Sequence, residues 1–229
     1  MVTGVIAVRA GSRRVKNKNI RPFAGVNLLI HKIQQLKQVN GIDNILVTSD
    51  SDEMLDMGRE NGTLTFKRGI EYCDEKTKSM GEVISHVCEN ITGDIIVWAP
   101  CTMPLIEPYV YTNALNKYYE IIKKGYDSLF TAEEFRRFLW DENGPLNYEP
   151  GVNQVPSQKL KPLYNCVGGI FIAPRKKMIE WKYYFGSHPY MYLLDRYSCV
   201  DIDDEFDLTY ASILYSMRHD INNRGENNG

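Results

Sequence analysis

Short apolar runs alternate with helix-spaced apolar positions through the first 131 residues. Residues 5–8 and 45–49 predict buried strands, and 63–66, 95–98 and 128–131 predict further strands. Residues 27–38 predict a helix, because Leu28, Leu29, Ile33 and Leu36 fall on one face. Helices are also predicted over 50–60, with Asp50 or Ser51 as cap and Gly62 past the end, over 81–89, and over 108–124, closing at Gly125. Strand alternating with helix predicts an α/β fold: a mainly parallel sheet, covered by helices on both faces and joined by right-handed crossovers. Ligands in such sheets sit at the carboxyl ends of the strands. That places residues 9–19, 49–50 and 99–104 on one rim.

The second half reads differently. Asp141-Glu142-Asn143-Gly144-Pro145 is a turn, and 147–161 is polar and proline-bounded. It reads as an arm at roughly 145–165 within one domain spanning 1–229. Residues 168–172, 190–194 and 198–202 return to strand pattern, 175–181 and 205–217 to helix, and the tail 222–229 is expected to fray.

Composition adds exclusions. The 229 residues carry 27 Lys+Arg and 29 Asp+Glu, a net charge of −2, which argues against a general nucleic-acid or membrane-surface binder. No apolar run approaches the ~20 residues that span a bilayer. Five cysteines without C-x-x-C spacing, and no secretion signal, point to reduced thiols in a cytoplasm. His31, His86, His188 and His219 have no zinc spacing and read as core or surface residues.

Charge is distributed unevenly. The first 42 residues hold eight Lys/Arg and no acid, whereas 201–207 hold five acids. The loop Arg9-Ala10-Gly11-Ser12-Arg13-Arg14-Val15-Lys16-Asn17-Lys18-Asn19 follows the first strand. Gly11 permits close backbone approach, Ser12 and the loop amides can donate to phosphate oxygens, and Arg9 and Lys18 can neutralise charge. The loop matches neither a Walker A nor a dinucleotide fingerprint, and a solvated basic loop is the alternative. In an extended Asp201-Ile202-Asp203, alternation puts both carboxylates on one side, a pairing that suits Mg²⁺ with substrate phosphates. Asp204, Glu205 and Asp207 enter a helix N-terminus, so acids that merely cap a helix are the competing reading.

Taken in order, several segments resemble the sugar-acid cytidylyltransferases, the acylneuraminate or CMP-sialic acid synthetases. Ile6-Ala7-Val8-Arg9-Ala10-Gly11-Ser12-Arg13 through Lys18-Asn19-Ile20 is similar to the family's R-x-G-S-K-G-x-x-x-K-N. Leu28-Leu29-Ile30, Leu46-Val47-Thr48-Ser49-Asp50, Pro100-Cys101-Thr102-Met103-Pro104-Leu105, Trp140 through Tyr148, and Asp201-Ile202-Asp203 with Phe206 continue the resemblance across almost the whole chain.

The resemblance implies a Rossmann-like nucleotidyltransferase fold with a dimerisation arm. It implies transfer of CMP from CTP to an acidic keto-sugar, with release of pyrophosphate, in a cytoplasmic homodimer that binds small molecules and neither nucleic acid nor membrane. Arg9, Lys18 and Asp203 would be catalytic. Ala7, Val8, Ala10, Gly11, Ser12, Asn19, Arg68 and Ser79 would bind the nucleotide, and Thr102, Gln158 and Tyr164 the acceptor. Asp201 and Asp203 would hold Mg²⁺.

The acceptor side departs from the family's pattern. Its P-R-R-Q-D reads Pro156-Ser157-Gln158-Lys159 here, Y-x-x-N-G reads Tyr164-Asn165-Cys166-Val167-Gly168, Ala99 stands where glutamine is common, and Arg14 replaces the loop's second glycine. A phosphate monoester or phosphonate acceptor, met by Lys159, Lys161 or Arg136-Arg137, is therefore a second reading. Tyr183, Tyr184, Phe185, Tyr190 and Tyr192 suit core packing, a dimer surface or a sugar-stacking wall. A metal-dependent glycosyltransferase would carry its paired aspartates mid-chain, and an inactive nucleotide-binding module would not need Arg9, Lys18, Asp201 and Asp203 together.

Overall fold

The computed structural model describes residues 1–12, 14–74 and 76–226, with side chains in the closing helix as far as Arg218. Arg13 of the basic loop, the side chain of His219 and the last three residues of the tail lie outside the described residues.

The strands are β1 (Val2–Ala7), β2 (Pro22–Phe23), β3 (Val26–Asn27), β4 (Asn44–Ser49), β5 (Leu64–Lys67), β6 (Ile95–Trp98), β7 (Ser128–Phe135), β8 (Trp140–Asp141), β9 (Gly144–Pro145), β10 (Leu163–Pro174) and β11 (Pro189–Leu193). The helices are α1 (Leu28–Lys37), α2 (Asp52–Glu60), α3 (Met80–Glu89), α4 (Pro108–Ile122), α5 (Arg175–Trp181) and α6 (Glu205–Glu226). Seven strands form the main sheet in the order β11-β7-β10-β6-β1-β4-β5. All run parallel except β10, which pairs antiparallel with both β6 and β7. The expected α/β class, with its mainly parallel sheet, stands.

Alternation along the strands divides the core in two. Ile6, Val47, Val97, Ile170 and Ile172 pack with α1, α2, α4 and α6, through residues such as Leu29, Ile33, Leu55, Leu115 and Leu208. Their strand neighbours Val5, Leu46, Ile96, Trp98 and Phe171 face the other way, onto Ile84 and Val87 of α3 and Met178 of α5. Both sheet faces are buried, which is why these strands read as continuous apolar runs.

Local signals set the helix ends. The Asn27 side chain accepts from the Ile30 amide, and that of Ser51 from the Met54 amide, at the starts of α1 and α2. Ser79 and Glu82 form a reciprocal capping box at the start of α3. Pro108 takes the first position of α4. α6 continues nine residues beyond the predicted end at Met217, and the segment expected to fray is helical to Glu226.

One strand expectation fails. Residues 198–202 do not pair into the sheet; Ser198 and Cys199 lie in a turn whose Ser198 amide donates to Asp195 Oδ1 at 2.8 Å. The chain from Val200 to Asp203 has no regular structure and is held instead by Ile202 N donating to Thr102 O at 2.8 Å. Alternation survives without the strand: Ile202 is fully buried while Asp201 and Asp203 reach the surface. Between β7 and β10 the chain leaves the sheet, carrying the β8–β9 hairpin and a 3₁₀ turn over Ser157–Lys159.

Candidate active site

A cleft of about 740 Å³ opens where β1, β5 and β6 end. It is lined by residues 7–9, 12, 14, 15, 18 and 19 of the first loop and by Arg68, Tyr72, Cys73 and Asp74. Lys78, Ser79, Met80 and Val83 come from the start of α3, and Trp98, Pro100, Thr102 and Tyr184 complete the wall. Nine of the sequence-derived site residues thus share one cavity: Ala7, Val8, Arg9, Ser12, Lys18, Asn19, Arg68, Ser79 and Thr102.

The loop after β1 is stapled from below. The Ala10 amide donates to Asp50 Oδ1 at 2.9 Å, tying the loop to the end of β4. Gly11 takes φ +72°, with open space around the position a Cβ would occupy. Asn19 Nδ2 donates to the Arg9 carbonyl at 3.2 Å, and Arg9 Nη1 to the Cys73 carbonyl at 2.7 Å. These bonds hold the loop against the cleft, whose wall includes Ser12 and the cations Arg9, Arg14 and Lys18.

Arg68 forms the floor. It is 5% exposed, and its Nη2 donates to the Val8 carbonyl and, at 3.4 Å, to that of Thr48, while Nη1 reaches the Tyr72 carbonyl at 3.3 Å. Its Nε is buried without a partner. Burial pulls its pKa below the ordinary guanidinium value. Ser79 lines the cleft but its hydroxyl is engaged: it accepts from the Glu82 amide and donates to Glu82 Oε2 at 3.0 Å. With Lys78 also bonded at 2.8 Å, the Glu82 carboxyl is held down at about 2.

The basic and acidic ends of the chain meet beside this cleft. Arg14 Nη2 lies 2.7 Å from Asp203 Oδ1, and Lys18 Nζ lies 3.8 Å from the same oxygen while donating to the Ile202 carbonyl at 2.6 Å. Arg21 grips Glu205 with two bonds of 2.6 and 2.9 Å. The five acids separate by role. Asp204 Oδ1 accepts from the Asp207 amide, and Asp207 Oδ2 accepts from the amides of Asp203 and Asp204, so these two cap α6. Glu205 binds Arg21, which leaves Asp201 and Asp203 at the rim.

Asp201 hydrogen-bonds with the Thr102 side chain. Its surface is largely open, yet its carboxyl sits against protein. Partial burial first, then Asp203 and Asp207, raise its pKa against the pull of Thr102 and Lys18. Among the described residues no group of three or more His, Cys, Asp or Glu could hold a metal.

Gln158 and Tyr164 do not line the cleft. Gln158 lies in the excursion, where its carbonyl accepts from Arg136 Nη1 at 3.2 Å, and Tyr164 pairs with Glu134 across β10 and β7. Ala10, Gly11, Asp201 and Asp203 are also outside the lining, though Asp201 and Asp203 bond to Thr102, Arg14 and Lys18, which are in it. Sequence reasoning passed over Tyr72, Lys78 and Trp98, and it placed Arg14 and Asp50 on the rim without giving either a role. Of the aromatic group, Tyr184 reaches the cleft, stacked on Phe171 at 4.2 Å and edge-on to Trp98 at 5.3 Å, while Phe185 packs on Phe130 and Tyr190 on Tyr126.

The chain has relatives of known activity. It is 27% identical over 227 residues to the pseudaminic acid cytidylyltransferase of Campylobacter jejuni subsp. jejuni serotype O:23/36 (strain 81-176), covering 94% of this chain and 97% of that one. It is 26% identical to N-acylneuraminate cytidylyltransferase A of Danio rerio, covering 92% of this chain and 50% of the other. A solved CMP:2-keto-3-deoxy-manno-octonic acid synthetase complexed with CTP has the same fold, with a TM-score of 0.68 at 13% identity over 95% and 99% of the two chains. The sequence model of the family described as Cytidylyltransferase matches residues 3–136, more than half of the chain, which therefore belongs to the cytidylyltransferase family of CTP-dependent nucleotidyltransferases.

Proposed function

We propose that the protein transfers CMP from CTP to an acidic keto-sugar related to sialic acid. The observation that carries this reading is the cleft: a stapled loop with Ser12, Arg9, Arg14 and Lys18 along one wall, beside two rim carboxylates. The names of the relatives, a pseudaminic acid cytidylyltransferase and an N-acylneuraminate cytidylyltransferase among them, support the acceptor class.

An acceptor hydroxyl attacks the α-phosphorus in line, the bond to the bridging oxygen breaks, and pyrophosphate leaves with that oxygen. The hydroxyl proton passes to Asp203 or to solvent beside it. The protein's share is positioning and charge neutralisation. Arg9, Lys18 and the loop amides bind the triphosphate and offset the charge gathering on the leaving group. Ala7 and Val8, at the end of β1, form the part of the cleft wall against which the base would lie.

The donor set fits Mg²⁺, which takes one or two carboxylates and completes its shell with water and phosphate oxygens. Asp201 and Asp203 are two such carboxylates, and burial first, then Asp203 and Asp207, makes the ionised form of Asp201 costly, a cost that a bound cation would relieve. When bound, Mg²⁺ withdraws charge from phosphate oxygens and acidifies a hydroxyl. We place the enzyme in the cytoplasm as a homodimer joined through the excursion between β7 and β10, where Trp140, Leu146, Val152 and Val155 are exposed.

Pyrophosphate release from CTP and Mg²⁺, measured with sialic-acid-type sugars, an eight-carbon keto-sugar acid and a phosphonate, tests the reading. Release that requires a sugar acid supports it. Release with the phosphonate alone, or CTP binding without release, refutes it.

A further inference from the structure

One oxygen of Asp203 is already claimed. Arg14 lies 2.7 Å and Lys18 3.8 Å from Asp203 Oδ1, and Asp203 is half exposed, so this contact is made at the mouth of the cleft. The two cations differ in how they are held. Lys18 is only 14% exposed and is anchored by its 2.6 Å bond to the Ile202 carbonyl. Arg14 is 66% exposed, and Asp203 is the only hydrogen-bonding partner recorded for its side chain among the described residues. It stands in the cleft wall at a position where the resembled loop carries glycine.

We propose that Arg14 is an exchangeable counter-ion. Without nucleotide it occupies Asp203, and the triphosphate of CTP draws it off, freeing that carboxylate as its charge is needed elsewhere. This rests on the metal assignment to Asp201 and Asp203 made above. The physical basis is competition. A guanidinium favours the multiply charged, forked oxygens of a triphosphate over a single carboxylate oxygen. The exposed Arg14–Asp203 pair is weak enough to break. The loop needs no rebuilding, because its staples at Ala10, Asn19 and Arg9 do not involve Arg14. The consequence is an order of events: a divalent cation alone binds poorly, and CTP prepares its site.

Two binding measurements test this without turnover. Mn²⁺ is titrated into nucleotide-free protein and followed by its electron paramagnetic resonance signal; CTP is titrated calorimetrically in EDTA. Arg14→Gln is expected to bind Mn²⁺ about two- to fivefold more tightly than the wild type, the range an exposed ion pair allows, and CTP more weakly by a similar factor. Arg14→Lys, which keeps the charge, should stay near the wild type in both titrations. Asp203→Asn should lower Mn²⁺ affinity. Mn²⁺ affinity in Arg14→Gln equal to or below the wild type, with Asp203→Asn still weakening it, overturns the exchange and leaves the metal assignment standing. Mn²⁺ affinity that neither Asp201→Asn nor Asp203→Asn alters overturns the metal assignment, and the exchange with it.

Discussion

Lys32 Nζ donates to the Tyr111 hydroxyl at 2.8 Å, in full burial beneath the loop that carries Thr102 into the cleft. The same nitrogen donates to the Met103 carbonyl at 2.9 Å, and Gln35 Nε2 donates to that of Pro104 at 2.7 Å, with His31 Nε2 3.0 Å from the same oxygen. One face of α1 thereby holds the backbone of the loop after β6.

The burial of Lys32 predicts a pH dependence of stability. Burial, opposed weakly by Cys101 and Glu107, pulls its pKa from 10.5 to about 7. Between those values the unfolded chain holds a proton that the folded protein does not, so stability rises with pH, by ~1.4 kcal/mol per unit from this residue. Below pH 7 both states are protonated and the full cost of burying the charge is present; above 10.5 both are neutral. Lys32→Met removes this slope. Urea unfolding of wild type and variant at pH 7.5, 8.5 and 9.5 should show their difference changing by roughly 1.4 kcal/mol per unit, in favour of the wild type as pH rises. A constant difference would show that Lys32 stays charged.

Gly81 should not tolerate a methyl group. On helix propensity alone, Gly→Ala inside a helix gains about 1 kcal/mol. A Cβ at Gly81 would lie 2.5 Å from the Lys182 carbonyl oxygen, a backbone atom just past α5. Lys182 itself sits in the left-handed region, at φ +51°, and has little freedom to retreat. The clash outweighs the propensity, so Gly81→Ala is expected to lower the urea midpoint and, because Ser79 and Met80 line the cleft, to weaken CTP binding as well. A raised midpoint would refute the contact.

Asp201 is expected to trade stability for function. Its pKa is raised by partial burial and by neighbouring carboxylates, so the ionised form is less favourable in the fold than in the unfolded chain. That cost is present at neutral pH, above the folded value, and disappears as pH falls below the ordinary 3.8. Asp201→Asn keeps an acceptor for the Thr102 hydroxyl and removes the charge. It should unfold at a higher temperature than the wild type at pH 7, converge with it in acid, and release no pyrophosphate. Retained turnover in this variant, or a lower melting temperature at pH 7, would count against the role.

Much of the fold was legible because burial imposes simple patterns. β6 (Ile95–Trp98) and α5 (Arg175–Trp181) were read to the residue, since apolar runs and a proline mark their ends. β7 and β10 run further than the apolar pattern suggested; their outer halves, with Glu133, Glu134 and Cys166, pair with each other in partial exposure, where polar residues carry no strand signal. Residues 198–202 have a strand's composition, but their polar bonds go to Asp195 and Thr102, and no sheet edge receives them. In the cleft, Arg9 and Lys18 were visible through a contiguous motif. Tyr72, Lys78 and Trp98 were not, because the sheet order, rather than any spacing, brings them together.

Arg68 separates a nucleotide contact from a scaffold role. Its guanidinium joins the carbonyls of Val8, Thr48 and Tyr72, and so ties the ends of β1 and β4 to the turn before α3. Thr48 O also accepts from the Val8 amide at 2.9 Å and keeps that partner without Arg68, whereas among the described residues Val8 O has no backbone donor. Leaving one buried carbonyl unpaired costs about 1–3 kcal/mol, and shedding a desolvated charge offsets part of that. Arg68→Met is therefore expected to destabilise by about 1–2 kcal/mol and, by loosening the ends of β1 and β4, to weaken CTP binding. Arg68→Lys supplies charge without the fork and should lose stability too, since one ammonium on a shorter stem cannot span three carbonyls. If Arg68→Lys instead retains full stability and only CTP affinity falls, the guanidinium serves the nucleotide directly and the carbonyl contacts are incidental.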